Sequence, residues 1–284
     1  MATKLLISPS KVCSKKYKWG CPCQIRSSGD KIVNMMAKVK SLIQAMANRL
    51  GYEIHRRPQP VDESKPVGEY TYYFPWGYHT YSPWWEPWFQ EMVTPIRGTT
   101  LITEDRCYII RLFCLHCVHL PGDFAECGTY KGGSAYLIAN TIRCSIGERQ
   151  LHVFDTFTGM PNTVVEGIDD HRPGDFADIS LDNVRRYLSQ FPFVVFHPGL
   201  IPDTFASVRN QQFSFVHVDV DIYQAGRDCC EFLYPRMVRG GIMLFDDYGF
   251  PQCKGLRKAV DEFFKDMKES PISLPTGQCF VIKL

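Results

Sequence analysis

The chain has 284 residues, 45% hydrophobic and 22% charged. That excludes disorder throughout and leaves room for one large domain with appendages or two small ones. Its net charge of +2 hides a split: residues 1–60 carry twelve Lys/Arg against only Asp30 and Glu53, leaving 20 basic and 28 acidic residues, a net of −8, in the remainder. A uniformly basic nucleic-acid binder is excluded, so no nucleic-acid partner is expected, while peripheral contact of the basic arm with a membrane surface stays open.

No apolar run approaches the roughly 18 residues that cross a bilayer. The apolar patch at residues 5–7 is far shorter than the ~7–15 residues of a secretory signal. A cytoplasmic protein is expected, its twelve cysteines reduced. Cys13, Cys21 and Cys23 lack zinc-ligand spacing, and Cys114-Leu-His-Cys117 has no second pair, so these read as ordinary thiols.

Residues 1–30 read as a flexible basic leader. In 31–69, Ile32, Met36, Val39, Ile43, Met46 and Leu50 recur at helical spacing, predicting an amphipathic helix ended near Gly51; Pro58, Pro60 and Pro66 mark a linker. Residues 70–121 begin with an aromatic segment. Eleven aromatics, including four of the five tryptophans, fall within 70–89, where prolines forbid a continuous helix. These rings either pack against a core edge or interface, or line an acceptor pocket. A helix over 101–120 follows, halted by Pro121-Gly122.

From residue 122 to 284 short apolar runs alternate with helical stretches. Strands are predicted at 123–127, 151–154, 193–196, 213–220 and 242–245, and helices at 134–146, 181–188, 203–209, 227–234 and 256–267. This alternation predicts a parallel sheet covered on both faces. Residues 272–274 and 278–284 add a terminal hairpin-like pair.

Ligands of open α/β sheets bind at the carboxyl ends of the strands. The first strand ends Glu126-Cys127-Gly128-Thr129-Tyr130-Lys131-Gly132-Gly133-Ser134, a glycine-rich turn entering a helix whose free N–H groups face a ligand. Neither the dinucleotide G-x-G-x-x-G pattern nor a P-loop is met. The second strand ends Phe154-Asp155-Thr156-Phe157, where Asp155 suits acceptance from two ribose hydroxyls or caps the segment after it. The fourth ends Asp219-Val-Asp221, two acids on one side of the strand, and the fifth ends Asp246-Asp247. Four carboxylates converging without a Lys or Arg among them in sequence describe a site for a hard divalent ion, magnesium first. His217 reads as a core histidine, and Asp169, Asp170, His171 and Asp175 as solvated polars of a lid over 158–179.

From about Thr94 to Leu284 the chain resembles the macrocin O-methyltransferase family. The blocks that carry the resemblance are Gly122-Asp-Phe-Ala-Glu-Cys-Gly-Thr-Tyr-Lys-Gly-Gly-Ser134, Phe154-Asp-Thr-Phe-Thr-Gly-Met-Pro161, Asp219-Val-Asp-Ile-Tyr223, and Leu233-Tyr-Pro-Arg followed by Gly240-Gly-Ile-Met-Leu-Phe-Asp-Asp-Tyr-Gly249. The resemblance implies a Rossmann-like class I methyltransferase: a seven-stranded, mostly parallel sheet with helices on both faces and an antiparallel last strand, here with an N-terminal helical extension. It implies S-adenosylmethionine and Mg2+ as cofactors, a sugar or glycosylated natural product as acceptor, and a homodimer or higher homo-oligomer. Glu126, Gly128, Thr129, Tyr130 and Ser134 would hold the methionine part of the cofactor, Asp155 and Thr156 the ribose side, and Phe157 and Gly199 would lie near adenine. Asp219, Asp246 and Asp247 would hold the metal, with Asp221 as general base. Gln224-Ala-Gly226 departs from the family's usual Glu-Ser-Thr. A metal-dependent glycosyl or phosphoryl transferase is the rival enzyme reading, and a non-catalytic cofactor-binding scaffold the rival from another class.

Overall fold

Side-chain alternation along five short runs decides how the chain folds back on itself. In the computed structural model, residues 82–284 are described, together with 7–9, 46, 49 and 52–54. Two compact units emerge, Met1–Glu69 and Tyr70–Leu284. In the first, β1 (Ile7–Pro9) pairs antiparallel with β2 (Tyr52–Ile54), with Ile7 opposite Ile54. Residues 7–9, expected within a flexible leader, are thus an extended strand. Met46 and Arg49 are helical and exposed. The rest of the leader, of the amphipathic helix and of the proline linker lies outside the described residues, as do aromatic residues 70–81.

Among its described residues the second unit holds seven strands: β3 (Asp123–Cys127), β4 (Leu151–Asp155), β5 (Val194–Pro198), β6 (Phe213–Val218), β7 (Met237–Phe245), β8 (Ile272–Ser273) and β9 (Cys279–Ile282). Their order across the sheet is β5-β4-β3-β6-β7-β9-β8. β3 to β7 run parallel, and β9 is antiparallel to both β7 and β8. This is the mostly parallel, seven-stranded class I methyltransferase arrangement.

Period 2 divides the core into two layers. Phe124, Val153, Phe215 and Leu244 face one side, with α1 (Pro87–Val93), α2 (Glu104–Cys117), α3 (Gly133–Ile142) and α4 (Leu181–Tyr187) contributing Phe89, Ile110, Leu137, Ile138 and Val184. Ala125, Phe154, Val216 and Phe245 face the other, covered by α5 (Tyr223–Leu233) and α6 (Lys254–Phe264) through Leu233, Leu256, Val260 and Phe264. Residues 203–209, expected as an α-helix, form a short 3-10 helix (Asp203–Val208) in the brief connection between β5 and β6. Cys114 and Cys117 are fully buried on α2. Of the aromatic segment, Trp84, Trp88 and Phe89 gather around Tyr108 of α2 with ring centroids 5.3–6.4 Å apart, which is packing, while Trp85 is 64% exposed. Among the described residues no helix is long and apolar enough to cross a membrane.

Strands β3 to β5 also carry a polar chain. His152 Nε2 lies 3.2 Å from Asp123 Oδ2, its Nδ1 lies 2.9 Å from His197 Nε2, and His197 Nδ1 lies 2.9 Å from Ser207 Oγ. Burial, reinforced by neighbouring His152, pushes His197 down to about 4. The unfolded chain therefore binds a proton near pH 6.5 that the folded chain refuses until about pH 4, so this stabilisation is full above ~6.5 and fades as pH falls through that window. Thermal unfolding is expected to show Tm declining from pH 7 to pH 5, with a shallower slope in His197→Gln. An unchanged slope in that variant would remove His197 as the cause.

Candidate active site

The sheet order reverses between β3 and β6, and at that switch point the turn after β3 meets the end of β6. Gly128 has φ +81°, and a Cβ there would lie 1.8 Å from the Asp219 carbonyl oxygen, so no other residue fits this crossing. The turn continues through Tyr130 at φ 48° and Gly132 at φ 89° into α3, whose first turn has no side-chain cap. The first of its N–H groups, that of Gly133, donates to the Thr99 carbonyl at 3.1 Å; those that follow in the first turn belong to a helix terminus, which suits an anionic or polar ligand. Ser134, its second residue, is buried.

Asp155, at the end of β4, binds this turn rather than standing free. Its Oδ2 accepts the N–H groups of Thr129 (2.8 Å) and Tyr130 (3.1 Å), and its Oδ1 that of Phe157 (2.7 Å). Burial raises its pKa, opposed by these three bonds. A carboxylate has about four acceptor positions, so three are committed and one remains, where the sequence suggested acceptance from two hydroxyls. The Thr156 hydroxyl donates to the Gly159 carbonyl at 2.7 Å. Phe157 is buried at φ 53°, 6.4 Å from the Phe196 ring, and Gly199, at φ 137°, donates its N–H to the Asp155 carbonyl. The Tyr130 hydroxyl reaches Asp178 at 2.9 Å, tying the turn to the far end of the loop from β4.

Glu126 is fully buried beneath the turn. Its Oε2 accepts the Thr129 hydroxyl at 2.5 Å and its Oε1 lies 3.1 Å from His217 Nδ1. His217 Nε2 in turn lies 3.4 Å from Asp246 Oδ1. Burial opposes charge on His217, yet Asp246 and Glu126 outweigh it and push the pKa up to about 9. Held protonated, this core histidine has no lone pair for a metal.

One of the four expected acids behaves differently from the other three. Asp246 is enclosed: Gln278 Nε2 donates to it at 2.7 Å, and the Arg106 guanidinium of α2 pairs with its other oxygen. Burial raises its pKa, but His217 and Arg106 win and hold it below the usual carboxylate range. Arg106 also reaches Asp247 Oδ1 at 3.5 Å. The absence of a cation among these acids held only along the chain; Arg106 arrives from 140 residues earlier, where no motif announces it. Asp219, Asp221 and Asp247, by contrast, bring carboxylate oxygens within 4.8 Å of one another, and Asp247 Oδ2 is buried without a hydrogen-bond partner. Burial first raises all three pKa values, reinforced by the charge of Asp247 on Asp219 and Asp221 and by that of Asp246 on Asp247. This donor set fits a hard divalent ion in the interior. Asp221 also sits at φ 61°, a left-handed conformation that only surrounding structure enforces.

Arg106→Leu is expected to cost about 3–5 kcal/mol, because it takes the guanidinium from the second oxygen of the enclosed Asp246 and leaves His217 alone to compensate that charge. Urea unfolding measures this, and a loss below about 1 kcal/mol would show that Arg106 is not what compensates Asp246.

His171, expected to be solvated, is instead mostly covered, 3.7 Å from Asp221 Oδ1 and 3.7 Å from Cys253 Sγ. Asp169, expected likewise, is bound: its oxygens accept the N–H groups of Val165 and Tyr223, anchoring the loop to the start of α5. Asp170 and Asp175 stay largely exposed.

The model of the family described as Macrocin-O-methyltransferase (TylF) matches residues 90–274. A demethyldecarbamoylnovobiocin O-methyltransferase of Streptomyces niveus is 29% identical over 183 residues, 60% of this chain and 69% of the relative. A mycinamicin III 3''-O-methyltransferase of Micromonospora griseorubida is 29% identical over 167 residues, 52% of this chain and 65% of the relative. The alignments thus span about two thirds of these relatives' own length. Among solved structures, the O-methyltransferase NovP superposes with a TM-score of 0.59 at 25% identity, covering 68% of this chain and 88% of NovP. The calicheamicin methyltransferase CalS11 shares the fold, with a TM-score of 0.53 at 18% identity over 69% of this chain and 93% of its own. With the family model spanning well over half of its residues, the chain belongs to the macrocin-O-methyltransferase family of enzymes.

Proposed function

We propose that this chain transfers the methyl group of S-adenosylmethionine to a hydroxyl of a sugar or glycosylated natural product, with a magnesium ion at its carboxylate cluster. The observation that carries this reading is the Asp219, Asp221 and Asp247 cluster beside the glycine turn at the switch point. The two relatives, named for O-methylation of demethyldecarbamoylnovobiocin and of mycinamicin III, support the acceptor class.

The cofactor supplies an already activated methyl group, and a divalent ion supplies a lowered hydroxyl pKa. The protein's own residues do the rest. The turn from Gly128 to Ser134 receives the methionine portion, the remaining acceptor position of Asp155 takes one ribose hydroxyl, and Phe157 and Gly199 flank the adenine. Asp219 and Asp247 hold the ion. Asp246, fixed by Arg106, Gln278 and His217, offers no free oxygen, and Arg106 reaches from it to Asp247. Asp221 accepts the acceptor's proton, and its raised pKa suits a base that must also release that proton. Loop 158–179 packs Met160 and Val164 onto the core beside these acids and excludes water.

Two results test the reading. S-adenosylmethionine, and not sugar nucleotides, is expected to raise Tm; the reverse would favour glycosyl transfer. Mg2+ is expected to raise Tm of the wild type but not of Asp247→Asn, and EDTA to abolish methyl transfer until Mg2+ is restored. Transfer indifferent to EDTA would remove the metal from the mechanism.

A further inference from the structure

Next to the carboxylate cluster a second constellation converges from three separate elements. His171 comes from loop 158–179, Asp221 from the turn after β6, and Cys253 from the short helix Pro251–Cys253 that precedes α6. The Cys253 thiol donates to Asp221 Oδ1 at 3.3 Å, and His171 Nε2 lies 3.7 Å from each of Sγ and Oδ1. A tetrahedral zinc ion with ordinary bonds to thiolate, imidazole and carboxylate separates its ligand atoms by about 3.4–3.6 Å. The three atoms are therefore spaced, before any movement, as the three corners of such a site. A second observation points the same way. His171 Nδ1 faces Asp175 Oδ2 at 3.7 Å, and that oxygen is itself fixed by the Arg172 N–H at 2.8 Å. The contact is longer than a hydrogen bond, and an approach of about half an ångström would give a ligating His171 the carboxylate that orients its ring and selects its tautomer.

We propose that His171, Cys253 and Asp221 form a binding site for a thiophilic divalent cation of the zinc class, distinct in chemistry from the all-oxygen cluster of Asp219, Asp221 and Asp247. On binding, the metal forms a bond to Sγ and the thiol proton leaves to solvent; the fourth position stays open to water. The ligand sets divide by softness, since imidazole and thiolate favour zinc and oxygen alone favours magnesium. Because Asp221 is common to both, zinc withdraws it and ties loop 158–179 to the start of α6. If the methyl-transfer reading holds, zinc inhibits turnover in a way that excess magnesium does not relieve.

The site is tested by binding, independently of turnover. The full chain is titrated with Co2+ as a spectroscopic substitute for zinc, and zinc affinity is measured by competition with a chromophoric chelator. Wild type and Cys144→Ser, which alters an exposed thiol, are expected to show a thiolate-to-cobalt charge-transfer band that Cys253→Ser lacks. His171→Gln, a change on a loop, is expected to weaken zinc binding about tenfold or more. The same band in Cys253→Ser, no band in the wild type, or unaltered zinc affinity in His171→Gln would overturn the proposal. Failure of methyl transfer alone would leave the site standing.

Discussion

Asp221→Asn is expected to lower kcat by about 10²- to 10⁴-fold while leaving S-adenosylmethionine affinity and the fold intact. The substitution preserves shape, and asparagine tolerates the left-handed backbone at φ 61° better than most residues. The Cys253 thiol keeps an oxygen to donate to. What disappears is the ability to take a proton. Since Asp221 stands in a buried group of like charges, its neutral replacement relieves repulsion, and Tm is expected to hold or rise. Steady-state kinetics with calorimetric titration of the cofactor separates the two effects. Unchanged kcat would remove Asp221 as the base, and a matching loss of cofactor affinity would move it into the binding site.

Gly128→Ala is expected to disable both cofactor binding and part of the fold. Its Cβ would fall 1.8 Å from the Asp219 carbonyl oxygen, a backbone atom with little freedom to retreat, since the Asp219 N–H is bonded to Cys127 at 2.8 Å. The left-handed φ adds about 1–2 kcal/mol and the overpacking about 1–3 kcal/mol. The sum, about 2–5 kcal/mol, appears as a fall in Tm of several degrees or more. S-adenosylmethionine affinity falls with it, because the turn held by Asp155 must move. Gly147→Ala is the control: that glycine also has positive φ but nothing within 4 Å of its Cβ, so it carries the backbone cost without the collision. Equal losses in the two variants would show that the crossing with Asp219 is not what requires glycine at 128.

Much of the sheet was legible because buried parallel strands are short continuous apolar runs. Residues 123–127 and the antiparallel end of the chain are found where the pattern puts them. β7 is longer than expected: the strand is predicted only after Gly240-Gly241, at 242–245, yet it runs from Met237 straight through them. Glycine marks a close backbone approach as readily as a turn, and a Cβ at Gly241 would meet the Ser214 carbonyl at 2.9 Å. The acids at the strand ends were legible for the same reason as the strands. Their partners were not. Arg106, Gln278, His171 and Cys253 reach the site from a helix, a turn before the last strand, a loop and a helix start, and no local pattern links any of them to Asp246 or Asp221. Spatial pairing over such separations is set by the packing of the helices and connections, not by spacing in the chain.

Methyl transfer itself is tested most directly by following an isotopic label. The full chain is incubated with methyl-labelled S-adenosylmethionine, Mg2+ and a panel of glycosides bearing free sugar hydroxyls, including demethyldecarbamoylnovobiocin and mycinamicin III, the acceptors for which its relatives are named. The products are read by mass spectrometry. The expected product is a labelled methyl ether on a sugar oxygen, formed with Mg2+, absent in EDTA and largely absent with Asp221→Asn. Label recovered on nitrogen or carbon, or ether formation undiminished in both EDTA and Asp221→Asn, would contradict it.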